Sequence, residues 1–240
     1  MSTLLIDAGN TRVKWAWLGA DGRPGPVHAC PHDDLTSLGL AVAQTPPQRV
    51  VGASVASPAD NSAIAALVGL PVEWLQPTAE RAGVRNGYRD PARLGADRWA
   101  ALIGAHHEPG GDLLVVSAGT ALTIDCLDRD GMFRGGTIAP GFALMRQSLA
   151  RGTARLGYPE GDYATYPQQT ADAILSGCID ALVAPVERRA ARFSADLGRP
   201  VRILIGGGDG MMLMSHLAVP AAIVDNLVLS GLALVAQPLC

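Results

Sequence analysis

Apolar residues along this chain come in short runs, each closed by polar or glycine-rich punctuation. Leu4-Leu5-Ile6 is a continuous apolar run of strand length, the mark of a strand buried on both faces. A polar turn separates it from a second strand-like run, Val13 to Leu18. The pattern predicts strands over 3–7 and 12–18, a short return near 26–29, a helix near 34–44, a strand near 49–54, a helix near 60–69 and a short strand at 72–75. Arg85-Asn86-Gly87-Tyr88-Arg89-Asp90-Pro91 reads as a loop leading into a helix from about 94 to 107. Pro109-Gly110-Gly111 breaks that helix and marks a lobe boundary, giving an N-terminal lobe of residues 1–110 and a C-terminal lobe of 111–240. The second half opens with strands at 113–117, 121–128 and 132–139, then a helix near 141–151. A longer helix is expected from about 170 to 195, with Thr170 as its N-cap. Strand 201–205 then enters Gly206-Gly207-Gly208-Asp209-Gly210, and a last helix covers about 226–236. Strand meanders followed by strands alternating with helices predict an α/β fold with mixed sheets.

The pattern repeats. Leu4-Leu5-Ile6-Asp7-Ala8-Gly9-Asn10-Thr11 aligns with Leu114-Val115-Val116-Ser117-Ala118-Gly119-Thr120-Ala121. In both copies an apolar strand runs into Ala-Gly-polar, then a second apolar run that ends at a turn, Asp21-Gly22 or Asp130-Gly131. Agreement over strand, turn, strand and turn predicts an internal duplication. Two related lobes, each with a glycine turn, are expected to close on one nucleotide.

Composition narrows the classes. The chain has 240 residues, 48% of them apolar, enough for a substantial core in one large domain or two small ones. A net charge of −3 argues against nucleic-acid binding. No run approaches the roughly 20 apolar residues of a membrane helix. The N-terminus lacks the basic and apolar regions of a secretory signal, so the expectation is a cytoplasmic protein. Cys30, Cys126, Cys178 and Cys240 are widely spaced, which predicts reduced, buried thiols rather than disulfides or zinc ligands. His106-His107 are adjacent, point about 100° apart on a helix and would not chelate together.

The first turn carries the clearest chemistry. Gly9 admits a ligand close to the backbone. Backbone N–H groups there, with Asn10, Thr11 and Lys14, can hold phosphate oxygens, and Asp7 can hold a divalent cation directly or through water. Lys14 is the only lysine of the chain, a compact point charge suited to a phosphate contact. Gly95-Ala96-Asp97-Arg98 opens a helix. A carboxylate there is favoured by the helix dipole and can act as a general base, and the neighbouring Arg can bind a carboxylate or phosphate in a fork. Gly206-Gly207-Gly208 fits neither a dinucleotide fingerprint nor a P-loop. Gly135 to Gly141 reads equally as a packing corner or as one wall of a cleft. No G-x-S-x-G elbow is present and Ser117 has no evident histidine partner, which disfavours a serine hydrolase.

Asp7-x-Gly9-Asn10-Thr11-x-x-Lys14, Gly95-Ala96-Asp97-Arg98, Ala118-Gly119-Thr120-Ala121 and Gly135-Gly136-x-Ile138-x-Pro140-Gly141 resemble, in order, the motifs of type III pantothenate kinases. The resemblance runs from residue 4 to about 232. It implies two duplicated ribonuclease-H-like lobes with mixed sheets, the actin-like ATPase fold shared with acetate and sugar kinases and heat-shock chaperones. It implies ATP-dependent phosphorylation of pantothenate to 4'-phosphopantothenate, the first step towards coenzyme A, by a homodimer. By motif position, Asp7, Ala8, Gly9, Asn10, Thr11, Arg12, Val13, Lys14 and Thr120 would bind ATP, with Mg²⁺ at Asp7. Asp97 would be the general base. Tyr88, Gly95, Ala96, Asp97, Arg98 and Thr170 would line the pantothenate site. The family's usual aspartate, associated with a monovalent cation (K⁺ or NH₄⁺), is Ser117 here, and a neutral hydroxyl is a much poorer cation ligand. The competing expectation is a non-catalytic nucleotide-binding protein of the Bvg accessory factor type, linked to transcription. A hydrolase or chaperone fragment of the same superfamily is a third, which the Gly-Ala-Asp-Arg segment opposes.

Overall fold

The fold was analysed in a computed structural model, which describes residues 2–153 and 155–237. Cys240 lies outside them. The chain opens with β1 (Thr3–Ala8), β2 (Arg12–Trp17), β3 (His28–Pro31), α1 (Thr36–Gln44), β4 (Arg49–Ser54), α2 (Pro58–Val68) and β5 (Val72–Trp74). Short strands β6 (Glu80–Arg81) and β7 (Val84–Asn86) precede α3 (Ala96–His106). Then come β8 (Leu113–Ala118), β9 (Ala121–Leu127), β10 (Met132–Pro140), α4 (Phe142–Gly152) and α5 (Thr170–Leu197). The last elements are β11 (Arg202–Gly206), α6 (Gly210–His216), β12 (Ala221–Ile223) and α7 (Leu227–Ala236).

In the first sheet the strand order is β3-β2-β1-β4-β5. The apolar run of β1 lies at its centre, antiparallel to β2 and parallel to β4. Leu4, Leu5 and Ile6 are fully buried, as their unbroken apolar pattern requires. Leu4 and Ile6 pack with Val13, Trp15, Val50 and Ile64. Helix α2 starts where its caps dictate. Ser57 accepts a hydrogen bond from Asp60 N at 3.2 Å, Pro58 follows, and Gly69 closes the helix at φ 67°.

The second sheet repeats this plan. Central β8 is antiparallel to β9 and parallel to β11, with β12 beyond β11 and β10 beyond β9. The order β10-β9-β8-β11-β12 therefore reproduces β3-β2-β1-β4-β5 strand for strand. Asp7 lies opposite Lys14 and Ala53, and Ser117 lies opposite Thr123 and Gly206, so the two aligned positions occupy the same place in each sheet. The duplication read from the sequence is thus a duplication of topology. The fold is α/β with two mixed sheets, the ribonuclease-H-like plan of actin-like ATPases and sugar kinases.

By compactness the chain forms two units. One holds Met1–Pro109, Asp128–Arg134 and Asn226–Cys240, and the other Gly110–Leu127 and Gly135–Asp225. The cut after residue 110, read from Pro109-Gly110-Gly111, follows the duplication instead, and two later segments of chain join the first unit. One reason is α7, which packs on α3 through paired glycines. A Cβ at Gly104 would strike the Leu227 carbonyl, and one at Gly231 the Ala100 carbonyl. The other is the β9–β10 turn, where Phe133 pairs with Asn86 of β7.

Several local expectations are corrected. Thr170 is the first helical residue of α5, and the N-cap is Gln169, which makes no side-chain capping bond. Helix α6 and strand β12 are absent from the sequence reading, because they span only 7 and 3 residues, too few to display a period. The segment before α3 contains β6 and β7 as well as loop. Cys30, Cys126 and Cys178 are free and buried, as expected. The His106 and His107 rings meet edge to face at 87°.

Candidate active site

In the first unit, β1 delivers Asp7 to the head of the hairpin turn. Gly9 N donates to Arg12 O at 3.1 Å, which closes the turn. Ala8 and Val13 are fully buried in the core and pair with each other across the hairpin, so they shape the turn from within. Asn10, Thr11 and Arg12 are exposed on the turn, and Lys14 is half-buried on β2 opposite Asp7. Burial pushes the Asp7 carboxyl up to about 6. Lys14 acts against the shift, and the negative charge of Asp97 adds to it. The contribution of Asp97, from a distant part of the chain, is the smallest of the three.

Asp97 stands in the first turn of α3. Its Oδ1 accepts from the Arg98 backbone N at 2.7 Å. Gly95 makes room for it: a Cβ there would stand 2.7 Å from Asp97 Oδ1. The helix N-terminus favours a carboxylate here, and burial works against it. Burial raises the Asp97 carboxyl above its ordinary value, and the Arg98 N–H and guanidinium only reduce the shift. A carboxylate with raised basicity in a partly dry site is a better proton acceptor than one at its ordinary value.

Arg98 is 6% exposed, far from the exposed helix-end arginine that simple charge stabilisation would give. Its Nη1 donates to the Tyr88 hydroxyl at 2.9 Å. Its guanidinium carbon stands 5.7 Å from the Tyr88 ring centre and 5.9 Å from that of Phe133. The Asn86-Gly87-Tyr88 loop is fixed by Tyr88 N donating to Asn86 Oδ1 at 3.1 Å and by Asn86 Nδ2 donating to Pro91 O at 3.2 Å. Gly87 sits against the Phe133 carbonyl, where a Cβ would clash. Within this unit the structure brings together Asp97, Arg98 and Tyr88, which the sequence offered as separate motifs.

The second unit holds Thr120 and Thr170. Thr120 is exposed at the β8–β9 turn, where Gly119 N donates to Ala121 O at 3.1 Å. Two glycine-rich segments close on this turn. Gly141 N donates to Thr120 O at 3.0 Å, and Gly141 leaves no space for a Cβ against the Gly119 carbonyl. Asp209 N donates to Ala118 O at 3.0 Å, and Gly207, at φ 96°, packs on the Ala118 backbone. Gly141 is therefore a packing corner, and the glycine triplet after β11 belongs to the second turn. Asp209 was not singled out from the sequence; burial raises its carboxyl, and its signal was its place at the end of that triplet. Ser117 is exposed at the end of β8. Thr170 lines a cavity of about 540 Å³ with Met145, Leu149, Ile174 and Cys178.

The two duplicated sheets define the class by fold: the plan shared by actin-like ATPases and sugar kinases. Among solved structures the chain resembles a candidate Baf family transcriptional activator from Campylobacter jejuni, with TM-score 0.62, 21% identity and coverage of 95% of this chain and 94% of that one. It also resembles a candidate 2-dehydro-3-deoxygalactonokinase from Sinorhizobium meliloti, with TM-score 0.60, 18% identity and coverage of 96% and 97%. At these identities both likenesses carry the fold alone. The family model of type III pantothenate kinases matches residues 3–192. A type III pantothenate kinase from Laribacter hongkongensis is 63% identical, over 99% of each chain. The chain belongs to the type III pantothenate kinase family.

Proposed function

We propose that this protein phosphorylates the primary hydroxyl of pantothenate with ATP, giving 4'-phosphopantothenate on the way to coenzyme A. Family membership supports the activity, and the half-buried Asp97 at the start of α3, beside the buried Arg98 that donates to the Tyr88 hydroxyl, is the observation that carries the mechanism. The Asp7–Lys14 turn and Thr120 take the ATP phosphates. Asp97 accepts the hydroxyl proton of pantothenate as the bond to phosphorus forms. Arg98 and Tyr88 offer a guanidinium and a hydroxyl to the pantothenate carboxylate, with Gly95 and Ala96 shaping the wall beside them. Thr170 is the remaining pantothenate contact in this reading.

Mg²⁺ keeps several waters and is commonly held by one or two carboxylates with substrate phosphates. Asp7 is the ligand, and its raised carboxyl is a buried acid that a cation would restore to the charged form. Bound there, Mg²⁺ would neutralise charge on the transferring phosphoryl group. Phosphoryl transfer otherwise asks for positioning, which the glycine turns provide. A monovalent cation, K⁺ or NH₄⁺, finds only a hydroxyl at Ser117. We infer a cytoplasmic homodimer, a reading that rests on the family relationship. Among the described residues no helix is long and apolar enough to cross a membrane.

A coupled ADP-release assay with and without pantothenate tests this reading. Pantothenate-dependent release is expected. Nucleotide binding without any release would favour the Bvg accessory factor reading, which the family relationship disfavours.

A further inference from the structure

We propose that His32 is a positioning residue for the phosphate turn, holding and polarising the Gly9–Asn10 peptide. The proposal rests on the reading that this turn binds nucleotide phosphates. His32 lies in the connection between β3 and α1, where no motif marks it. Its Nε2 stands 2.7 Å from the Gly9 carbonyl oxygen. A carbonyl only accepts, so Nε2 carries the proton and donates. The Gly9 N–H is already engaged with Arg12 O across the hairpin. The glycine of the turn is thus held on both sides, by its own hairpin and by the histidine.

The far side of the ring is closed off from water. Nδ1 of His32 is buried without a hydrogen-bond partner and faces Asp60 Oδ1 at 3.8 Å. Asp60 is fixed at the start of α2, where Ser57 Oγ donates to its Oδ2 at 2.6 Å. The one hydrogen bond that fixes the ring is therefore the bond from Nε2 to the Gly9 carbonyl. That peptide group contains both the Gly9 carbonyl and the Asn10 N–H. A hydrogen bond donated to the oxygen draws electron density from the nitrogen and makes the N–H a stronger donor. The carbonyl and the N–H of a trans peptide point in opposite directions, so the strengthened Asn10 N–H points away from His32. A glycine turn that must keep one conformation against a charged ligand gains from such an external hold, because glycine alone is the most permissive backbone.

The test compares His32→Phe, which keeps a ring without a donor, with His32→Gln, whose amide can donate at similar reach. Each is measured for the KM of MgATP, the KM of pantothenate, the equilibrium Kd of MgATP and the melting temperature. His32→Phe is expected to raise the KM and Kd of MgATP about 5- to 10-fold, the loss of one hydrogen bond to a site of charge, with the pantothenate KM within about twofold. His32→Gln is expected to return MgATP binding to within about twofold of the parent. Unchanged MgATP binding in His32→Phe overturns the proposal. So does an equal loss for both substrates that follows the melting temperature and is not rescued by Gln, because that marks a purely structural contact. If the parent binds MgATP but releases no ADP with pantothenate, the kinase reading fails while the Kd comparison still decides the role of His32. If the parent binds no nucleotide, both fail.

Discussion

The Arg98 guanidinium donates to the Tyr88 hydroxyl at 2.9 Å, and the same two side chains stack, with the guanidinium carbon 5.7 Å from the ring centre. Arg98 is almost fully buried, so the hydroxyl oxygen satisfies a charge that has little access to water. The phenolic proton is then directed to another acceptor, which we assign to the pantothenate carboxylate. Tyr88→Phe keeps the ring against Phe133, 5.5 Å away, and deletes only the hydroxyl. The KM of pantothenate should rise about 10-fold, as for a lost hydrogen bond to a charged group, with kcat changed less than about threefold. Steady-state kinetics at saturating MgATP measures both.

Asp97→Asn keeps size and removes the proton acceptor. Turnover should fall by roughly 10²–10⁴, the usual share of general base catalysis. Nucleotide affinity should change little, since the role assigned to Asp97 is on the pantothenate hydroxyl. Near-normal kcat in the variant would exclude Asp97 as the base.

The raised Asp7 carboxyl ties function to stability. Its folded value of about 6 lies above the ordinary 3.8, so the folded state holds this proton more tightly than the unfolded chain. Stability from this group is greatest at low pH, declines between about pH 4 and 6, and is absent above. The penalty of ionising Asp7 in the ligand-free protein is on the order of 2–3 kcal/mol. Asp7→Asn removes it. The ligand-free variant should melt about 5 °C above the parent at pH 8 and level with it near pH 4. The same substitution should abolish tight MgATP binding. Lys14→Ala should move the Asp7 carboxyl further up, so the acid limb of MgATP binding shifts to higher pH. Melting curves at the two pH values and nucleotide titrations across pH 5–8 check the set.

Ser117 bears on cation dependence. A monovalent ion sheds water to bind, and a hydroxyl offsets that cost less well than a carboxylate. The parent should show weak activation by potassium, and Ser117→Asp should acquire it. Turnover compared in potassium, ammonium and a large organic cation at matched ionic strength decides. Strong, saturable potassium activation that survives Ser117→Ala would place the cation elsewhere.

The strands and the duplication were legible in the sequence because their causes are local. An unbroken apolar run such as Leu4-Leu5-Ile6 can only be buried on both faces, and its recurrence at Leu114-Val115-Val116 carries the same topology with it. Asp7, Asp97 and Arg98 were legible as motifs of residue type and spacing. Their electrostatic state was not. Asp97 stands at a helix N-terminus, which favours a carboxylate, yet burial raises its carboxyl, because desolvation depends on what fills the space around a side chain. The burial of Arg98 between Tyr88 and Phe133, the effect of Asp97 on Asp7, the closing of Gly207 on Ala118 and the reach of His32 to Gly9 are all contacts between separate elements. Periodicity and turn chemistry report a residue's neighbours along the chain. Only the packed structure assigns its neighbours in space, and those set the charge, the hydrogen-bond partners and the shape of this site.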